Sequence, residues 1–246
     1  MTALLRELQR ELAKVADPSR APAMQAYMKS AMPYHGVSSA EMRRVCKQVF
    51  AEHPIESSEA WQADVLGIFR GAKKREECYA AMELAGDRRA KAFQRFDVLP
   101  MYDEIITGAA WWDVVDAIAA HRLGDLLRND PAKMRKKMLA WSRDANMWRA
   151  RSAILCQLRT GDAIDLDLLY ACIEPSIESK EFFLRKAIGW ALREHAWRDP
   201  EEVKRYVAKN RARMSGLSIR EALKNLGKTR TSRTSGKTRE RETGKR

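Results

Sequence analysis

The sequence predicts an all-α chain of short helices packed as antiparallel hairpins, and three observations predict it. Apolar residues recur at helical spacing almost throughout the 246 residues. No run of β-branched residues alternates between turn dipeptides, so nothing argues for a sheet. The helical stretches number about a dozen and are joined by short connections, the pattern of hairpins stacked side by side.

Each element has its own local reason. Leu4, Leu5, Leu8, Leu12 and Val15 share one face of a first helix, which Asp17-Pro18 ends. Pro22, a residue favoured in a first turn, opens a second helix expected to run to Met32. Pro33-Tyr34-His35-Gly36 is a break, and the third helix runs from Ser39 to His53 with Ser38 and Glu41 at capping-box spacing. Further helices are expected over 57–71, 74–85, 87–95, 98–107, 111–128, 131–143, 146–160, 165–173, 179–195 and 199–212. The arrangement suggests a HEAT-type solenoid, although no crisp sequence period marks it, and an irregular helical bundle is the rival. From about Ser215 the composition turns to Ser, Thr, Gly, Lys and Arg. The expected division is therefore a helical body over 1–214 and a basic, largely disordered tail over 215–246. One short helix, Ile219 to Leu226, is expected within that tail, and disorder beyond Lys228.

Composition narrows the function. With 45% hydrophobic and 32% charged residues the chain reads as globular. No stretch has the roughly 18–20 uninterrupted apolar residues of a membrane span. Met1-Thr2-Ala3-Leu4-Leu5-Arg6-Glu7-Leu8 carries charges inside its apolar pattern, so it reads as a first helix and not as a signal peptide. Cys46, Cys78, Cys156 and Cys172 are far apart, as are His35, His53, His121 and His195. No zinc-ligand spacing occurs, and the expectation is reduced core cysteines in a cytosolic protein with no metal and no cofactor. The formal charge of +13 and pI near 9.8 imply a polyanionic partner. The last 19 residues hold eight Lys or Arg and two Glu, a net +6, which leaves +7 on the body. A basic body as well as a basic tail makes nucleic acid the leading partner class; the basic amphipathic helix of a membrane-surface protein is missing.

Three segments place polar or aromatic residues where packing alone does not ask for them. In 110–121, Trp111, Val114, Val115 and Ile118 form a buried stripe. Trp112 and Asp116 lie together on its flank, roughly 110–150° away, and Ala119 and Ala120 leave room beside them. An indole next to a carboxylate suits a pocket wall, while a helix packed on two sides with Asp116 as a surface charge explains the same pattern. In 147–155, Arg151 falls in the middle of the apolar face made by Met147, Ile154, Leu155 and Leu158. A guanidinium there needs an anion, either a neighbouring carboxylate or a DNA phosphate. In 182–193, Leu184, Ile188, Ala191 and His195 form the core stripe, and Phe183 and Trp190 a second aromatic stripe with Lys186 beside it. That second stripe is either a second packing face or an aromatic platform for a sugar or base next to phosphate. Gly189 would let another backbone or a ligand approach closely.

These segments carry a resemblance. Trp111-Trp112-Asp113-Val114-Val115-Asp116, then Trp148-x-x-Arg151-x-Ala153-Ile154, then Phe183-x-x-Lys186-Ala187-Ile188-Gly189-Trp190-Ala191-Leu192-Arg193-Glu194 resemble the defining blocks of the AlkD family of alkylpurine DNA glycosylases. Ala26-Tyr27-Met28-Lys29, followed by an aromatic and Gly36, is similar to that family's N-terminal block. The resemblance spans roughly residues 20 to 210 in the right order, and the joint occurrence is specific. It implies a curved stack of HEAT-like helical hairpins gripping double-stranded DNA, acting as a monomer in the bacterial cytosol and nucleoid. Trp112 and Trp190 match the aromatic walls that hold the lesion's deoxyribose, Asp116 the catalytic carboxylate, and Arg151 a phosphate-contacting arginine. Tyr27, Lys186 and Arg193 are further expected DNA contacts. The implied activity is hydrolysis of the N-glycosidic bond of cationic N3- or N7-alkylated purines. Two other readings remain at this point: a non-catalytic module that binds damaged or branched nucleic acid, and a repeat scaffold for a protein partner.

Overall fold

A computed structural model describes residues 2–227, which form fourteen α-helices and no strand. They are α1 (Ala3–Lys14), α2 (Ala21–Met28), α3 (Ser39–Ala51), α4 (Ser58–Gly71), α5 (Arg75–Ala85), α6 (Leu99–Ala109) and α7 (Trp112–Ala117) in the N-terminal half. There follow α8 (Gly124–Asn129), α9 (Pro131–Trp141), α10 (Met147–Leu155), α11 (Leu166–Ile173), α12 (Phe182–His195), α13 (Pro200–Lys209) and α14 (Gly216–Leu223). Helices α3, α5, α7, α10, α12 and α14 form one row in which each packs on the next. Helices α1, α4 and α6 pack in sequence as a second row, which α9 and α11 continue in the C-terminal half. Neighbours in sequence cross between the rows, as α4 does onto α5 and α6 onto α7, so the hairpins stack as a helical solenoid.

Local sequence explains where the helices begin. The Thr2 hydroxyl caps α1 by accepting from the Leu5 N–H at 3.2 Å, and Leu4, Leu5, Leu8 and Leu12 are all buried. Each such leucine contributes roughly 1.5–3 kcal/mol when taken fully from water. At α3, Ser38 accepts from the Glu41 N–H at 3.2 Å and its hydroxyl donates to the Glu41 carboxylate at 2.9 Å. The break before α3 is held from a distance. Buried Glu76 on α5 accepts the backbone N–H groups of His35, Gly36 and Val37 at 2.9, 2.9 and 3.1 Å. Gly36 is needed there because its φ of +83° lies in the left-handed region and the chain passes against Asp17.

Several expected elements differ; the helix expected over 146–160, for one, ends at Leu155 as α10. Helix α2 stops at Met28 and not Met32, because Lys29 turns left-handed at φ 49° and its N–H closes the helix end onto Ala26 and Gln25. The stretch 87–95 is not α-helical: the Asp87 side chain accepts from the Arg89 N–H and starts a 3-10 turn, Arg88–Phe93, followed by a second, Phe96–Val98. The long helix expected over 111–128 is continuous in direction but changes pitch. A π turn, Ile118–Leu123, separates α7 from α8 and lies at the small residues Ala119 and Ala120.

The division expected after residue 214 falls just before α14, which packs on α12 and α13 with Ser218 and Ala222 buried. Its start is marked by Ser215, whose hydroxyl accepts from the Ser218 N–H at 3.0 Å. The expected helix at Ile219 to Leu226 is thus present three residues earlier, inside the packed body. The tail beyond Lys228 lies outside the described residues. All four cysteines are free and buried, and burial pushes the thiols of Cys78 up to about 11 and of Cys46 and Cys172 to about 12. No described helix is long and apolar enough to cross a membrane.

A Cβ at position 36 would lie 2.0 Å from the Asp17 carbonyl oxygen. Gly36→Ala is therefore expected to lower stability by about 2 kcal/mol or more, read as a reduced urea midpoint at unchanged slope.

Candidate active site

The flank of α7 owes its position to contacts on either side of it. Ala110 turns left-handed at φ 43°, and Trp111 then donates its indole N–H to the Met28 carbonyl at 2.9 Å. Trp111, Trp148 and Phe183 pack as an aromatic cluster with ring centroids 6.3, 5.5 and 5.0 Å apart. Two residues on, Asp113 pairs with Arg75 of α5, accepting from the guanidinium Nε at 3.0 Å and also from Nη2. Asp113 also accepts from the Tyr79 hydroxyl at 2.6 Å, and Tyr79 meets Tyr34 at 3.0 Å. These contacts fix the first turn of α7 against α5 and the loop before α3, and so fix the direction in which Trp112 and Asp116 project.

The partner of Arg151, left open by the sequence, is a carboxylate. Arg151 is 4% exposed and donates from Nε and Nη2 to the two oxygens of Asp116, each at 2.7 Å. Its Nη1 donates to the Phe183 carbonyl, and its guanidinium carbon lies 5.9 Å from the Phe183 ring centre. Three helices, α7, α10 and α12, therefore meet at one ion pair. Burial pushes the Asp116 carboxyl above the ordinary carboxylate range, and the hydrogen bonds from Arg151 pull it partly back. The bidentate contact requires the ionised form, so the site holds a carboxylate that is more basic than a solvated one.

Asp116 stands where two surface grooves meet. One, of about 260 Å³, is lined by Trp112, Asp116, Arg151, Phe182, Phe183, Lys186, Trp190 and Arg193. The other, of about 430 Å³, runs along the π turn past Ala120 and His121 to Arg159 and Arg198 and again includes Asp116 and Trp190. Trp112 and Trp190 thus share a groove with the carboxylate, and indole faces there provide electron-rich surface beside it. Both grooves are open; neither is a closed pocket.

Of the residues singled out from sequence, Trp112, Asp116, Arg151, Lys186, Trp190 and Arg193 come together around the first groove. Tyr27 lines neither groove; it is 80% exposed on α2, one residue before the Met28 carbonyl that Trp111 holds. Lys186 and Arg193 are not bare cations. Both bind Glu221 of α14, Lys186 at 2.9 Å and Arg193 through Nη1. Gly189 permits this, because the backbone that approaches it belongs to α14: a Cβ there would lie 2.4 Å from the Glu221 Cβ and 2.9 Å from the Ser218 carbonyl oxygen. Sequence reasoning missed Glu221, the Arg75–Asp113 pair and the second groove. Only Glu221 left a signal, the Ser215 cap with apolar Ile219, Ala222 and Leu226 at helical spacing after it.

Residues 8–226 match the family model of the DNA alkylation repair enzymes. The fold is similar to the solved structure of a predicted DNA alkylation repair enzyme from Enterococcus faecalis, with a TM-score of 0.78 and 26% sequence identity. That alignment covers 87% of this chain and 98% of the other. No curated protein matches the chain.

Gly189→Ala is expected to push α14 off α12 and to cost about 1–3 kcal/mol, the range for an overpacked interior. Chemical denaturation of the variant checks the loss, and faster amide exchange confined to α14 checks its origin.

Proposed function

The chain belongs to the DNA alkylation repair enzyme family, and from that premise we propose that it is a DNA glycosylase. It hydrolyses the N-glycosidic bond of cationic N3- or N7-alkylated purines in duplex DNA. The observation that carries this reading is a single carboxylate, Asp116, 12% exposed, at the junction of two open grooves between Trp112 and Trp190.

The chemistry needs no more than that. Alkylation at N3 or N7 leaves the purine ring positively charged, so the base departs with the bonding electrons as a neutral molecule and needs no general acid. Departure leaves oxocarbenium character on the deoxyribose. Asp116 stabilises that charge and takes up a proton from the water whose oxygen bonds to the sugar carbon. Trp112 and Trp190 flank the sugar with their negative faces, adding to the same stabilisation. Arg151 keeps the carboxylate aimed and ionised. Three of its five N–H groups are engaged with Asp116 and Phe183, which leaves two for a backbone phosphate at the groove wall. The openness of the grooves supports a surface reaction on the deoxyribose in preference to capture of the base in a fitted cavity. Lys186, Arg193 and exposed Tyr27 extend the DNA-facing surface around this centre.

Duplex DNA carrying one 7-methylguanine tests the reading through release of free base. The wild type is expected to release it above the spontaneous rate and Asp116→Asn to be slower by at least tenfold, about 1.4 kcal/mol in the barrier, with DNA binding retained. Absence of release from both 7-methylguanine and 3-methyladenine DNA would refute the enzyme reading for these lesions. Because the carboxylate is the active form and its pKa is raised, single-turnover activity is expected to fall as pH drops through that raised value. The acid limb should lie above the 3.8 of an ordinary aspartate and be missing in Asp116→Asn.

A further inference from the structure

Glu221 stands behind two cations that face the groove. It is 14% exposed, lies on α14 outside the groove lining, and receives Lys186 on one oxygen and Arg193 on the other. The cations are seven positions apart on α12, with Trp190 between them on the groove wall. Each uses one nitrogen on Glu221 and keeps further N–H groups, since an ammonium carries three donors and a guanidinium five. Glu221 is itself pinned, because its Cβ sits in the space that the missing side chain of Gly189 leaves. A lysine or arginine held in one geometry has already lost the rotamer freedom that binding a phosphate would otherwise cost it.

We propose that Lys186, Arg193 and Glu221 form a preorganised phosphodiester subsite beside Asp116, with Glu221 as its positioning residue and α14 as a working part of the DNA-binding face. The subsite carries a net charge of +1 and presents two donors of fixed spacing to one backbone phosphate. The inference rests on the DNA-repair reading above. Simple electrostatics gives the opposite expectation, and this makes the proposal testable. If Glu221 only competed with phosphate for the two cations, removing its charge would tighten DNA binding.

The experiment measures the dissociation constant for a duplex containing a stable abasic-site analogue, at several salt concentrations, with full-length protein. Glu221→Gln keeps the size of the side chain, and binding is expected to weaken about fivefold or more despite the extra positive charge. Glu221→Asp keeps the charge and shortens the reach, and it is expected to weaken binding as well, an effect that a charge-only role would not produce. In a Lys186→Met, Arg193→Met background, Glu221→Gln is expected to change affinity less than twofold, because nothing remains for it to position. Wild-type binding with an unchanged or tightened Glu221→Gln complex overturns this inference alone. Absence of duplex binding by the wild type overturns the DNA-repair reading together with it.

Discussion

Asp116 and Arg151 meet with both carboxylate oxygens and all three guanidinium nitrogens engaged, and the rest of the candidate site depends on that contact. Taking two charges out of water costs several kcal/mol per ion, so a buried pair is poor evidence for stability as such. Its consequence here is geometric. The planar fork of the guanidinium accepts one orientation of the carboxylate, and the third nitrogen ties the pair to the backbone of α12. Helices α7, α10 and α12 are neighbours in one row of the solenoid, and the pair sets their mutual register at the point where the two grooves join.

The surroundings serve that pair. Trp111 and Trp148 pack on Phe183, whose ring centre lies 5.9 Å from the Arg151 guanidinium carbon. The Arg75–Asp113 pair with Tyr79 holds the start of the same helix from α5, so α7 is anchored at both ends of its exposed flank. The π turn then carries Ala120 and His121 along the second groove. A carboxylate fixed this firmly is suited to a reaction in which the substrate brings its own leaving-group charge. In the proposed reaction the protein has only to stabilise the cation left on the sugar, and preorganised charge does that without reorganisation at the moment of reaction.

What was legible in the sequence was what short-range physics decides. Ser38 with Glu41 announces the start of α3 because a cap acts over three residues. Arg151 stood out because a guanidinium amid leucines demands an anion, and Trp112 with Asp116 because they share a flank that packing left unexplained. The identity of the anion was not legible, since 35 residues separate Arg151 from Asp116 and only the row packing brings them together. The same holds for Glu221, which reaches Lys186 and Arg193 across a helix crossing that Gly189 allows. The early end of α2 at Lys29 and the 3-10 turns after Asp87 were missed for a different reason. Their apolar spacing is compatible with a helix, and side-chain bonds or a left-handed residue decide otherwise.

The central claim is that Arg151 acts through Asp116, and a double-mutant cycle on single-turnover base release tests it most directly. Asp116→Asn and Arg151→Met are measured alone and together on the same alkylated duplex. With protein saturating the duplex, so that a lost phosphate contact does not limit the rate, the account predicts strong non-additivity: the double variant is no slower than Asp116→Asn, because without the carboxylate the guanidinium has nothing left to aim. Rate losses that simply multiply would contradict it, and would make Arg151 an independent contributor with the ion pair incidental to catalysis.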